Sequence, residues 1–144
     1  MMDERTRSFL DANHSAAMTT LRLDGTPHVV RVGVALVNGK LWSSGTQTRV
    51  RTKHMRWDPR SSLFVYDAEW RWLAAECTVT ILDGPDAPEL HVRLFQVMQR
   101  GMGVPEGRIN WFGRSIGREE FLKTMVEEQR LIYEFNIVRS YGMY

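Results

Sequence analysis

The residues best suited to chemistry lie in one short run, Gly45-Thr46-Gln47-Thr48-Arg49-Val50-Arg51-Thr52-Lys53. Cations stand at every second position from Arg49, and Thr48 and Thr52 supply hydroxyl donors. An apolar stretch precedes the run, and the pattern after it is helical, so it marks a strand-to-helix junction. The first backbone N–H groups of a helix have no intrahelical partner, and the aligned peptide dipoles place partial positive charge there. An anion docks readily at such an end, phosphate above all. An arginine fork adds bidentate hydrogen bonds to phosphate oxygens. The competing reading is a solvated basic face, and the residues alone leave both open.

Other chemistries find less support. His14, His28, His54 and His91 are scattered and Cys77 stands alone, so no metal-ligand spacing appears and no metal is expected. The chain has no G-x-S-x-G nucleophile motif. No general base is singled out, and the catalytic residues stay unassigned. Cys77 reads as a buried strand residue, and Asp67 with Glu69 as a solvated turn. Arg49, Arg51, Lys53, Arg56 and Trp57 would suit a nucleic-acid backbone. The basic stretch is short, however, and the net charge only +2, so no nucleic-acid partner is expected.

The elements that must hold the basic run can be read from periodicity. Asp3–Asn13 has a partly apolar helical face. His14–Leu23 alternates as a strand, Asp24-Gly25-Thr26-Pro27 turns, and His28–Val37 is rich in β-branched residues. Asn38-Gly39 predicts a tight hairpin into Lys40–Ser44. Thr46 or Thr48 is the expected N-cap of a helix over Arg49–Trp57, with Val50, His54 and Trp57 as its inward face. Asp58-Pro59 ends it. Strands follow over Ser61–Tyr66 and Trp70–Leu82, then a helix over Glu89–Arg100. Gly101–Arg114 reads as a glycine-rich loop, with a helix at Arg118–Gln129 and a last strand at Leu131–Val138. Trp42 and Phe64 are expected in the core. Trp111-Phe112 is placed either in ordinary packing, or in a lid or a contact between copies, because large exposed aromatics are unfavourable.

This succession resembles the pyridoxamine-phosphate-oxidase-like split barrels, which bind FMN or the deazaflavin coenzyme F-420. The resemblance rests on the run from Ala17 to Asp67: the Asp24-Gly25-x-Pro27 hairpin, the basic helix and the Arg56-Trp57-Asp58-Pro59-Arg60 close. It extends more loosely to the final strand. Thr19-Thr20-Leu21-Arg22, Pro27-His28-Val29-Val30 and Trp70 are most similar to the actinobacterial deazaflavin branch. The resemblance implies a six-stranded antiparallel split β-barrel with peripheral helices, mainly β, as one domain over residues 1–144. It implies a homodimer with two cofactors at the interface. Arg49, Arg51, Thr52 and Lys53 would hold the phosphate. Ser44, Gly45 and Thr46 would line the ribityl chain and ring, Val32 and Gly33 would back the ring, and Trp70 would lie near the cleft. The family often has Lys where this chain has Arg51, and Asn where it has His54.

The implied activity is hydride transfer from the reduced cofactor to an unsaturated or carbonyl-containing substrate. F-420 carries an additional anionic tail, for which Arg22, Arg31 and Arg56 are available, so F-420 is favoured over FMN. A non-catalytic carrier of the cofactor or of a tetrapyrrole needs the same cradle. Positive charge is concentrated in residues 1–60, with 10 Lys and Arg against 5 Asp and Glu, which fits an anionic ligand there. No apolar run is long enough for a membrane span, the amino-terminal residues lack a signal-peptide core, and a cytoplasmic protein is expected.

Overall fold

A computed structural model describes residues 2–144. Helix α1 (Glu4–Ala12) is capped by Asp3, whose carboxylate accepts from Thr6 N at 2.8 Å. It buries Phe9 and Leu10. Strands β1 (Ser15–Leu21) and β2 (Pro27–Gly33) form the first hairpin. Strand β3 (Ala35–Val37) turns into β4 (Lys40–Thr46) at Asn38-Gly39. Helix α2 (Val50–Trp57) leads to β5 (Arg60–Tyr66) and β6 (Trp72–Leu82). After α3 (Ala87–Met98) come a small hairpin, β7 (Arg108–Trp111) and β8 (Arg114–Gly117), then α4 (Arg118–Glu127) and the long β9 (Arg130–Met143).

Seven strands form one curled antiparallel sheet in the order β2-β1-β5-β6-β9-β4-β3, the split-barrel architecture with helices at its periphery. The segment expected as one strand over His28–Val37 is two, which makes the count seven rather than six. The break falls at Val34, whose N–H leaves the ladder to donate to His14 O at 2.9 Å. Residues before it pair with β1 and residues after it with β4, so the chain must change partner there. Ser43 Oγ donates to Gly33 O at 2.7 Å and ties β2 to β4 across the curl.

Alternation builds the core. Strand β5 buries Ser61, Leu63 and Val65 and exposes the residues between, as its period-2 pattern requires. Met18, Leu63, Val65, Leu73, Ala75, Leu131, Tyr133 and Phe135 fill the barrel. Trp42 is buried with Leu94 of α3 on the sheet's other face. Phe64, by contrast, is 42% exposed and outside the core, because it occupies an outward position of β5. A further cluster of Val92, Ile109, Trp111, Ile116, Phe121 and Met125 joins α3, the β7–β8 hairpin and α4. The expected loop over residues 101–114 therefore contains a strand, and its Trp111 is a packing residue. Among the described residues, no helix is long and apolar enough to cross a membrane.

Candidate functional site: an anion cradle at the end of the barrel

Helix α2 packs on the barrel with a different face from the one its apolar residues predict. Val50 and Trp57 are exposed, while Thr52 and Met55 are buried. Met55 enters the barrel core, and Thr52 replaces a hydrophobe because its hydroxyl has two partners. It donates to Thr46 O at 2.6 Å and bonds the Tyr133 hydroxyl. Tyr133 reaches α2 by passing over Gly45, where any Cβ would collide with its ring. Gly45 is thus the residue that lets a buried tyrosine link β9 to the helix.

The helix start carries no side-chain cap. Its N-cap residue is Arg49, and neither Thr46 nor Thr48 fulfils the expected role. Thr46 and Thr48 hydroxyls instead lie 3.4 Å from each other. An uncapped helix start keeps donors open toward an anion.

Three guanidinium groups converge here. Arg51 lies over the Tyr133 ring, 5.7 Å from its centroid, and donates to Ser44 O at 3.5 Å. Its Nε is buried without a hydrogen-bond partner. Burial lowers the Arg51 pKa, and the charges of Arg49 and Arg130 press in the same direction. Arg130 is held by Glu128 at 2.6 Å and reaches toward Ser44 Oγ at 3.4 Å. Arg49 and Arg51 form no ion pair among the described residues. A half-buried cation whose buried Nε lacks a partner, next to two more guanidinium groups, fits a bound anion such as phosphate.

Ser44 is held by a histidine. His91 Nδ1 is 2.9 Å from Ala87 O, which only accepts, so that nitrogen carries the proton. Nε2 then accepts from Ser44 Oγ at 2.8 Å. His91 is fully buried, and burial pushes its pKa down to about 4, with Arg130 acting in the same direction. A neutral imidazole beside a cation, with no carboxylate to stabilise its protonated form, is poorly placed to activate Ser44 as a nucleophile. The pair orients Ser44 instead.

The sequence-derived residues therefore divide. Ser44, Gly45, Thr46, Arg49, Arg51 and Thr52 come together, and Lys53 is exposed on the first turns of α2. Gly33 is joined through Ser43, while the Val32 side chain faces the barrel core. Trp70 stands apart. It lies in the β5–β6 turn at the opposite end of β5 from α2, about 20 Å away along a seven-residue strand. It is 93% exposed with φ +66°. Sequence reasoning missed Tyr133, Arg130 and His91, because the first two come from the last strand, far along the chain from the basic run, and His91 lacks any motif of its own. A hollow of about 420 Å³ lined by Arg7, Arg93 and Arg100 lies at the other end of β4 and holds no orphaned buried group.

The profile of the pyridoxamine 5'-phosphate oxidase family matches residues 2–132. The chain belongs to that family. Among solved structures, it is similar to a conserved hypothetical protein from Mycobacterium tuberculosis, at 19% identity with a TM-score of 0.75, over 99% of this chain and 85% of the other. An F420 reductase superposes with a TM-score of 0.70 at 18% identity, over 97% of this chain and 98% of that one. A putative pyridoxamine 5'-phosphate oxidase from Listeria innocua gives 0.63 at 9% identity, over 94% and 92%. These likenesses establish the fold. No curated protein matches the sequence.

Proposed function

We propose that this chain is an oxidoreductase that binds coenzyme F-420 with its phosphate in the α2 cradle. The observation that carries the reading is the buried, unpaired Nε of Arg51 at an uncapped helix start, flanked by Arg49 and Arg130. Arg49, Arg51 and Lys53 would hold the phosphate, while Ser44 and Thr46 would meet the polyhydroxyl chain. When bound, the reduced deazaflavin supplies a hydride to an unsaturated or carbonyl-containing substrate. The chain's own residues bind and orient. His91 fixes the Ser44 hydroxyl proton, so Ser44 Oγ turns lone pairs toward Arg130 and the ligand. Tyr133 and Thr52 fix the helix start against β9. The active species is proposed to be a homodimer, supported by the exposed aromatic residues on the outer sheet face.

FMN is the second reading, and a specific observation favours it. Arg56, assigned to the anionic tail of F-420, is engaged by Asp83 and Gln47, each at 2.9 Å. Arg22 is occupied by Pro27 O at 2.7 Å. Parallel titrations with F-420, FMN, haem and single-stranded DNA decide between these readings. Tight F-420 binding that weakens in Arg51→Gln supports the proposal, and tight FMN binding without F-420 binding selects the second. Haem binding alone would leave a tetrapyrrole carrier, and salt-sensitive DNA binding alone would overturn the cofactor reading. With F-420 bound, a panel of enones, quinones and tetrapyrroles distinguishes an enzyme from a carrier.

A further inference from the structure

The β7–β8 hairpin turns on Phe112-Gly113, with φ +48° and +79°. Asn38-Gly39 makes the same kind of turn, with φ +50° and +78°. Asparagine is the residue this geometry favours at the first position, since a short polar side chain tolerates the left-handed region and a bulky one does not. The second hairpin puts phenylalanine there. Phe112 is also 83% exposed, so the chain both strains its backbone and leaves the ring in water.

The tip has a definite address. The Phe112 ring meets Trp111 edge to face, with centroids 4.8 Å apart. Trp111 is buried, packed edge-on against Phe95 and Phe121, and carries the Arg130 guanidinium 5.0 Å from its centroid. Arg130 reaches Ser44 Oγ at 3.4 Å. A continuous chain of contacts therefore runs from the exposed ring to the cradle, and Trp111 is fixed from behind. Strained, exposed residues of this kind concentrate where ligands bind.

We propose that Phe112 is an aromatic wall of the ligand site, against which the planar ring system of the phosphate-bearing ligand lies. This rests on the reading above that the ligand joins a conjugated ring to a phosphate. The wall selects for flat, conjugated groups, while the cradle selects for the anion.

The test is Phe112→Asn, which supplies the Asn-Gly pair the turn prefers and so keeps the fold. Its melting temperature should rise by about 2–4 °C. Its dissociation constants for F-420 and FMN should rise about tenfold, the loss of one stacking contact. Thermal protection by inorganic phosphate should not change, and Phe112→Tyr should keep the wild-type affinities. A more stable Phe112→Asn protein with unaltered cofactor affinity overturns the wall. So does a variant whose only change is weaker self-association in sedimentation, which would make the tip a contact between copies. If the wild-type protein binds neither cofactor, the proposed function itself falls and the wall with it, a result distinct because no variant is needed to see it.

Discussion

Gly45, Arg51 and His91 each make a different demand on the site. At Gly45 the demand is space, since Tyr133 occupies the volume a side chain would need. Gly45→Ala should destabilise the fold by about 1–3 kcal/mol in urea unfolding, the usual penalty for overpacking a core. Unchanged stability would mean that Tyr133 moves freely. At Arg51 the demand, on the proposed function, is an anion. Arg51→Gln should weaken phosphate-ligand affinity about 10- to 100-fold, the loss of a charge-assisted bond. Equilibrium titration reads the affinity, and wild-type affinity in the variant would remove Arg51 from the cradle. At His91 the demand is neutrality. Its folded pKa of about 4 lies below the ordinary value of 6.5, so the unfolded chain binds the extra proton first. That contribution is fully present above pH 6.5 and is lost as pH falls toward 4, amounting to roughly 3 kcal/mol. His91→Gln should flatten the stability profile across that window, and an equally steep profile in the variant would assign the slope to other groups.

At the scale of elements, what could be read in the sequence depended on whether a rule was local. The Asn38-Gly39 hairpin needs only its own two residues, and its left-handed pair is where the sequence places it. Alternation likewise located β5, and the basic run located α2. The inward face of α2 was not legible. Thr52 is buried because Thr46 O and the distant Tyr133 satisfy its hydroxyl, so the hydrophobic pattern pointed to the wrong side. The split at Val34 was hidden for the same reason, since His28–Val37 as a whole is rich in β-branched residues and only the change of partner breaks it. Within the candidate site, Arg51 belongs to the basic run that the sequence shows, whereas Arg130 entered only through β9 pairing with β4, where it stands opposite Thr46. Tyr133→Phe tests this joint. It should lower stability by about 1 kcal/mol in denaturant unfolding and weaken anion binding by loosening α2, without removing any charge. Intact anion affinity would show that Thr46 alone holds the helix start.

For the whole molecule, the outer sheet face is the unusual surface. Phe64 stacks on Trp72 at 5.3 Å, Trp72 meets Tyr141 at 6.4 Å, and Tyr66, Trp70 and Met143 extend the patch. A contiguous exposed aromatic surface of this kind marks a contact with something apolar. For the proposed homodimer, sedimentation at micromolar concentration should give twice the chain mass of 16.7 kDa. Phe64→Lys with Trp72→Lys should shift it toward monomer. A dimer that survives both changes would place the interface elsewhere.

One buried atom offers a further consequence. Cys77 is the sole cysteine, 4% exposed at the bulge of β6, and burial raises its thiol pKa to about 12. Almost no thiolate is present at neutral pH and little of the residue meets solvent, so alkylation is slow in the folded chain and accelerates when β6 separates from its neighbours. The native chain therefore carries its own clock for opening of the barrel. The rate of thiol capture, followed by mass, counts those openings, and a ligand that clamps α2 onto the barrel should slow it.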